Sequence, residues 1–212
     1  SGVGRLDYEN GEKAIKQGRI DMIWLGRRLM VDPAYPNKVK EGRLDDIRPC
    51  IGCMNCLSHL LLNDPIKCRW NGFMGREHEL GCDGIDFPKV AKKKKVMVVG
   101  AGPGGMEAAR VAALRGHEVH LYEKEKTLGG LLPLATFIKG TEFDDLSPAL
   151  KWYEGQLKKI SNIKINLGVE VNAAVVDKLK PDVVILSPGS TYELPKIPGI
   201  DSKIVVSTHQ LK

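Results

Sequence analysis

The residues best equipped for chemistry lie in one short run, Arg48-Pro49-Cys50-Ile51-Gly52-Cys53-Met54-Asn55-Cys56, answered by Cys68. The spacing is C-x2-C-x2-C-x11-C. Three thiolates at i, i+3 and i+6 can each take one iron corner of a 4Fe-4S cubane while the backbone curls round it, and a remote fourth closes the cage. Gly52 lets that backbone approach the inorganic sulfides. Zinc is the competing metal. Structural zinc sites with four cysteine ligands usually present two separated C-x2-C pairs, so a triplet plus a single fits a cluster better. Ordinary buried or disulfide-bonded thiols are the third reading. Disulfides are disfavoured because nothing in the sequence looks secretory.

A second motif begins where the composition changes. Lys95-Val96-Met97-Val98-Val99 reads as a buried parallel strand and runs straight into Gly100-Ala101-Gly102-Pro103-Gly104-Gly105. A helical run from Met106 to Arg115 follows. This is G-x-G-x-x-G in the context that gives it meaning, strand before and helix after. Gly100 makes the turn, Gly102 lets the backbone reach a pyrophosphate, and Gly105 lets helix and strand pack closely. The helix N-terminus offers unpaired amides to phosphate. Glu118 to Tyr122 forms the next strand, and Glu123 at its tip stands where an acidic side chain accepts hydrogen bonds from an adenosine ribose. Leu128-Gly129-Gly130-Leu131-Leu132 then provides a second point at which backbone could approach a ligand closely. The competing reading is a plain glycine turn.

The elements that must position these motifs follow from periodicity. Glu9 to Gln17 is a short helix stopped by Gly18. Asp21 to Leu25 is a near-continuous apolar strand of the kind buried in parallel sheets, with Gly26-Arg27-Arg28 at its carboxyl end. Asp32-Pro33 opens a helical stretch to Gly42. Strand, glycine and arginine at a carboxyl edge is where α/β folds bind phosphate, although here the pair also reads as a loop glycine and a surface arginine. Arg69 to Pro88 is a linker with little regular structure. Beyond the glycine turns come a helix from Phe143 to Ile160, short strands at Ile163 to Leu167 and Glu170-Val171, a helix from Val175 to Leu179, and a buried strand from Asp182 to Leu186. Ile204-Val205-Val206 begins another strand.

The chain has 212 residues, enough for one domain or two small ones. Its net charge of +6 is mild, and its basic residues form no stripe interleaved with aromatics, so nucleic acid is not an expected partner. Lys92 to Lys95 reads as the solvated end of a linker. No apolar run approaches a membrane span, and the start shows no signal-peptide pattern. Five cysteines, four in one constellation and Cys82 left over, suit a reducing compartment, and the expectation is the cytoplasm.

Taken together, Gly4-Arg5, Asp21 to Arg27, Asp32-Pro33, the stretch from Asp45 through Cys68 to Asn71, Gly100 to Gly105, Glu123, Gly129-Gly130 and Pro198-Gly199 resemble the multidomain branch of the old yellow enzyme family. Its members include 2,4-dienoyl-CoA reductase, enoate reductases and trimethylamine dehydrogenase. The resemblance implies an α/β chain in three parts. Residues 1–48 would be the last βα units of an FMN-binding TIM barrel. Residues 49–91 would be the iron–sulfur loop and linker. Residues 92–212 would be an incomplete Rossmann-like, glutathione-reductase-type domain for FAD or ADP.

It further implies that Gly4, Arg5, Gly26 and Arg27 hold the FMN phosphate and that Cys50, Cys53, Cys56 and Cys68 ligate a 4Fe-4S cluster. Gly100, Gly102, Gly104, Gly105, Glu123, Gly130, Leu131 and Val171 would line the FAD or ADP site. Many reductases of the branch carry glutamine where this chain has Leu131. In the reductase version, electrons pass from NAD(P)H through FAD and the cluster to FMN, which reduces the activated C=C bond of an enoate or enoyl-CoA. The evenly spaced cysteine triplet looks like the dehydrogenase version, in which FMN oxidises an amine and an external flavoprotein takes the electrons. A reading from another class is a zinc-stabilised nucleotide-binding docking module. Under the family resemblance the chain is a piece, its barrel and NAD(P)H domain completed by further polypeptide or a partner chain, with homo-oligomers possible. The substrate pocket and proton donor would lie outside it.

Overall fold

The computed structural model describes residues 6–81, 87–139, 146–190 and 195–206. Its elements run α1 (Tyr8–Lys16), α2 (Arg27–Val31), α3 (Tyr35–Lys40), a 3-10 turn at Leu44–Asp46, α4 (Asn55–Leu61), α5 (Glu77–Leu80), β1 (Lys95–Val99) and α6 (Pro103–Leu114). They continue with β2 (Glu118–Glu123), α7 (Leu132–Lys139), α8 (Ser147–Lys159), β3 (Ile163–Leu167), α9 (Ala173–Leu179) and β4 (Val183–Leu186). The chain divides into two compact units, Ser1–Val90 with Glu142–Lys159, and Ala91–Thr141 with Ile160–Lys212.

The first unit is helical among the described residues. Asp7 caps α1 by accepting a hydrogen bond from the Asn10 N–H at 2.7 Å, and Gly18, at φ +65°, takes the left-handed conformation that ends the helix. Asp21 to Leu25 does not form the expected strand. Ile23 makes an isolated bridge, and Met22 and Trp24 are exposed. A parallel strand's hydrogen bonds go to its neighbours, and none is paired with this segment among the described residues. The cysteine stretch, expected as a loop, winds into α4 after Met54, and Arg27–Val31 forms the short helix α2.

A buried ion pair organises this unit. Lys38 Nζ lies 2.8 Å from the Asp32 carboxylate, both side chains are almost fully buried, and the Arg48 N–H also donates to Asp32. Lys38 donates as well to the Asp46 carbonyl. Such a pair is costly to desolvate but costlier to break, because removing one partner strands the other charge.

Helix α8 belongs to this unit, not to the segment 92–212 with which its sequence position grouped it. The reason is its buried face of Ala149, Trp152, Tyr153, Gln156 and Leu157. Trp152 and Tyr153 meet Trp70 at ring centroid separations of 6.0 and 5.0 Å, both edge to face. The Trp152 Nε1–H donates to the Asp46 carbonyl, and Gln156 and Lys159 donate to the Asp46 carboxylate. Large aromatic rings dominate the burial of a small unit, so they decide where the helix docks.

The second unit is a four-stranded parallel sheet in the order β3-β2-β1-β4. Val96, Met97 and Val98 of the central β1 are all buried, as a strand covered on both faces requires. Helix α6 packs on the sheet through Met106, Ala109 and Ala113. Asn172 caps α9 by accepting from the Val175 N–H. β4 was expected to be buried, yet Leu186 is 73% exposed, because β4 is an edge of the described sheet. Glu170-Val171 and Ile204-Val205-Val206 are not strands.

Candidate functional site

The cysteine site is built from three pieces of backbone. The run from Cys50 to Cys56 turns through two left-handed residues, Gly52 at φ +68° and Met54 at φ +56°. The second is unusual for a side-chain-bearing residue and costs roughly 1–2 kcal/mol. It lets α4 start at Asn55, which places Cys56 in the first turn. Cys68 returns on an extended segment held by Asn55 Nδ2, which donates to the Lys67 carbonyl, and by Arg69, which donates to Asn55 Oδ1. The result is one cavity walled by Cys50, Cys53, Cys56 and Cys68 together. Its remaining walls are Arg27, Met30, Val31, Ile51, Met54, Arg69 and Trp70.

Burial pushes the Cys68 thiol pKa up, against the backbone N–H groups of Trp70 and Asn71, which favour the thiolate. The Asn71 N–H donates to Cys68 Sγ at 3.3 Å. Asn71 is itself fixed, donating to the Met30 carbonyl and accepting from the Phe73 N–H. Among the described residues no three His, Cys, Asp or Glu side chains gather so as to hold a single metal ion. The four thiols line one cavity.

Arg48, in the cysteine run, is not a wall of this cavity. It is buried, with its guanidinium 4.4 Å from the Trp152 ring centroid and 5.7 Å from those of Trp70 and Phe73, and it donates to the Trp70 carbonyl. Arg27 borders the cysteines instead, its Nη1 donating to Met54 Sδ at 2.8 Å. Gly26 caps α2 with open space where a Cβ would be. Gly4, Arg5 and Cys82 lie outside the described residues. Trp70 and Trp152 are packing residues, while Trp24 is 62% exposed.

The second unit carries the glycine turn at the carboxyl edge of β1. Gly100, at φ +98°, donates its N–H to the Tyr122 carbonyl. A Cβ at Gly100 would strike the Ser187 carbonyl, and one at Gly105 would strike the Gly100 carbonyl. Those two glycines serve the fold. Gly102 and Gly104 face open space within 4 Å, so no protein atom demands glycine there. Gly102 precedes α6, whose first turn leaves backbone N–H groups unpaired.

Glu123 is buried and accepts hydrogen bonds from the Ala101 and Glu125 N–H groups at 2.7 and 3.0 Å. It thereby ties the glycine turn to the end of β2, a role that spacing did not reveal. Gly129 donates to the Ala101 carbonyl, and a Cβ at Gly130 would stand 3.0 Å from the Gly102 Cα. Leu131 is exposed beside them, and Val171 follows β3. Ser187 was missed from sequence. Its hydroxyl lies 2.9 and 3.1 Å from the Val99 and Gly100 carbonyls, bracing the turn from β4.

A parallel sheet with this glycine turn at its carboxyl edge is the architecture of an α/β dinucleotide-binding domain. A family model described as pyridine nucleotide-disulphide oxidoreductase matches residues 94–211. The chain belongs to that family, within the multidomain old yellow enzyme branch. It is 41% identical over 203 residues to a cinnamate reductase of Clostridium sporogenes, covering 94% of this chain and 29% of the relative. It is 38% identical over 201 residues to an NADH oxidase of Thermoanaerobacter brockii, covering 92% and 29%. A solved 2-naphthoyl-CoA reductase in complex with 2-naphthoyl-CoA superposes with a TM-score of 0.85 at 36% identity, covering 96% of this chain and 30% of that one. The chain thus spans about 30% of the length of the relatives it matches. Among the described residues no helix is long and apolar enough to cross a membrane.

Proposed function

We propose that this chain forms the iron–sulfur and flavin-nucleotide portion of an NAD(P)H-dependent oxidoreductase that reduces the activated C=C bond of an enoate or enoyl-CoA. The observation that carries it is the meeting of Cys50, Cys53, Cys56 and Cys68 around one cavity. Those four thiolates would hold a 4Fe-4S cluster, which supplies one-electron transfer between flavins in separate domains. The Asn71 N–H, 3.3 Å from Cys68 Sγ, stabilises negative charge on that sulfur. The open faces of Gly102 and Gly104 leave room for the pyrophosphate of FAD or ADP at the start of α6. Gly100, Gly105 and Gly130 keep the turn closed behind it. Glu123 holds Ala101 in place and retains lone pairs for ribose hydroxyls, since each carboxylate oxygen accepts more than one hydrogen bond. Leu131 and Val171 would contact the nucleotide, and Gly4, Arg5, Gly26 and Arg27 the FMN phosphate. The NAD(P)H domain, substrate pocket and proton donor would come from further polypeptide or a partner chain, in the cytoplasm.

Anaerobic reconstitution with iron and sulfide tests this reading. Four irons per chain, brown colour and bound FAD are the expected result. One zinc and a colourless protein would leave only a nucleotide-binding docking module. The even C-x2-C-x2-C spacing supports a second reading, an amine dehydrogenase passing electrons to an external flavoprotein, for which the bound nucleotide would be ADP.

A further inference from the structure

We propose that Asn71 is a positioning residue for the cluster: its buried carboxamide holds the Asn71 N–H on Cys68 Sγ and so helps to set the reduction potential. The inference rests on the cluster reading above and goes beyond it, because it gives a task to a side chain that is not itself a ligand. Asn71 is 3% exposed, so its polar groups must find their partners within the protein. Its Oδ1 accepts from the Phe73 N–H at 3.0 Å, an Asx turn that fixes the backbone two residues on. Its Nδ2 donates at 3.0 Å to the carbonyl of Met30, a wall of the cysteine cavity at the end of α2. Carbonyls of a last helical turn lack an intrahelical donor, and Asn71 supplies one. The carboxamide serves in one orientation only. Flipped, it would set Nδ2 against the Phe73 N–H and Oδ1 against the Met30 carbonyl.

The consequence falls on Cys68. With both ends of the carboxamide engaged, the segment from Cys68 to Phe73 has little freedom to turn the Asn71 N–H away from Sγ, 3.3 Å off. Buried Arg48 steadies the same segment by donating to the Trp70 carbonyl. Reduction adds one negative charge to a centre surrounded by four thiolates. Hydrogen bonds to the sulfurs favour the reduced form and are among the levers that set such potentials. The donor here is a neutral backbone dipole, so no counter-ion cancels it.

The test is an anaerobic redox titration of the reconstituted full chain, with iron content and the electron paramagnetic resonance of the reduced cluster confirming that it is intact. Asn71→Ala removes both side-chain bonds and is expected to shift the reduction equilibrium toward the oxidised form about tenfold, ~59 mV for one electron. Asn71→Ser can still turn its hydroxyl to the Phe73 N–H, more weakly than asparagine, and should shift it the same way by about threefold. Phe73→Leu removes the edge-to-face contact with Phe87 but keeps the Phe73 N–H, so it should lower the unfolding midpoint and leave the potential at the parental value. Intact clusters at the parental potential in both Asn71 variants would overturn the proposal. So would a Phe73→Leu shift as large as that of Asn71→Ala, which would reduce Asn71 to general packing. Should Asn71→Ala fail to fold, Asn71→Ser decides alone. A parent chain that takes up no iron would overturn the cluster reading itself, a failure visible in metal content before any titration.

Discussion

The Glu123 carboxylate accepts a hydrogen bond from the Ala101 N–H at 2.7 Å, joining the end of β2 to the second residue of the glycine turn. A charged acceptor on a backbone donor is worth about 1.5–3 kcal/mol, and losing it leaves the buried Ala101 N–H unpaired. Glu123→Ala should therefore lower unfolding stability by about 2 kcal/mol and weaken FAD or ADP binding together. Denaturant unfolding and nucleotide titration calorimetry check both. A variant with full stability and weakened binding would reduce Glu123 to a ligand contact.

The glycines of the turn separate into two kinds. Gly105→Ala drives its methyl into the Gly100 carbonyl, so it should cost about 1–3 kcal/mol of stability. Gly102→Ala meets no protein atom within 4 Å, at an ordinary negative φ, and should fold within about 1 kcal/mol of the parent. Its methyl would occupy space reserved for pyrophosphate, so nucleotide binding should fall at least tenfold. Thermal unfolding with and without nucleotide distinguishes the two behaviours.

Arg48 joins the cysteine run to α8 through the Trp152 ring and the Trp70 carbonyl. Lysine keeps the charge but loses the planar stack and the forked donors. Arg48→Lys should destabilise the first unit by about 2 kcal/mol, read as a loss of near-ultraviolet circular dichroism from Trp70 and Trp152 at lower denaturant. An unchanged midpoint would show that packing alone seats the helix.

Asp46 fixes the sign of one pH dependence. Burial pushes its carboxyl pKa up, but hydrogen bonds from Lys159 and Gln156 outweigh burial and hold it below its ordinary 3.8. A depressed carboxylate contributes its stability fully above the unfolded pKa and loses it as pH falls through the folded one. The contribution should thus be complete well above the unfolded value and be lost as pH falls through the still lower folded value. Asp46→Asn should remove that part of the acid sensitivity and cost about 1 kcal/mol at neutral pH, measured as unfolding midpoints across pH. An unaltered acid profile would show that Asp46 does not couple α8 to pH.

Local pattern alone determined the nucleotide half. β1 from Lys95 to Val99, the start of α6 beyond Gly102 and the β2 strand ending at Glu123 all follow from short-range rules: an apolar run, a helix start after glycine, and a fixed spacing to an acid. Their hydrogen bonds and sterics close within neighbouring strands. The grouping of Cys50, Cys53, Cys56 and Cys68 was equally legible as one constellation, and the fold brings all four to one cavity.

Tertiary packing decided the rest. No local signal told that α8 would join the first unit, since Trp152 and Tyr153 respond to Trp70, over 80 residues away in the chain. Nor did sequence neighbourhood reveal that Arg27, not Arg48, would border the thiols. The Asp21 to Leu25 segment shows the same limit in reverse: its apolar character reads as a strand, but a strand exists only through partners, and none pairs with it among the described residues. Residues acting through the backbone near them can be read in order. Residues acting through contacts distant in sequence are assigned only when the chain has folded and burial has chosen their neighbours.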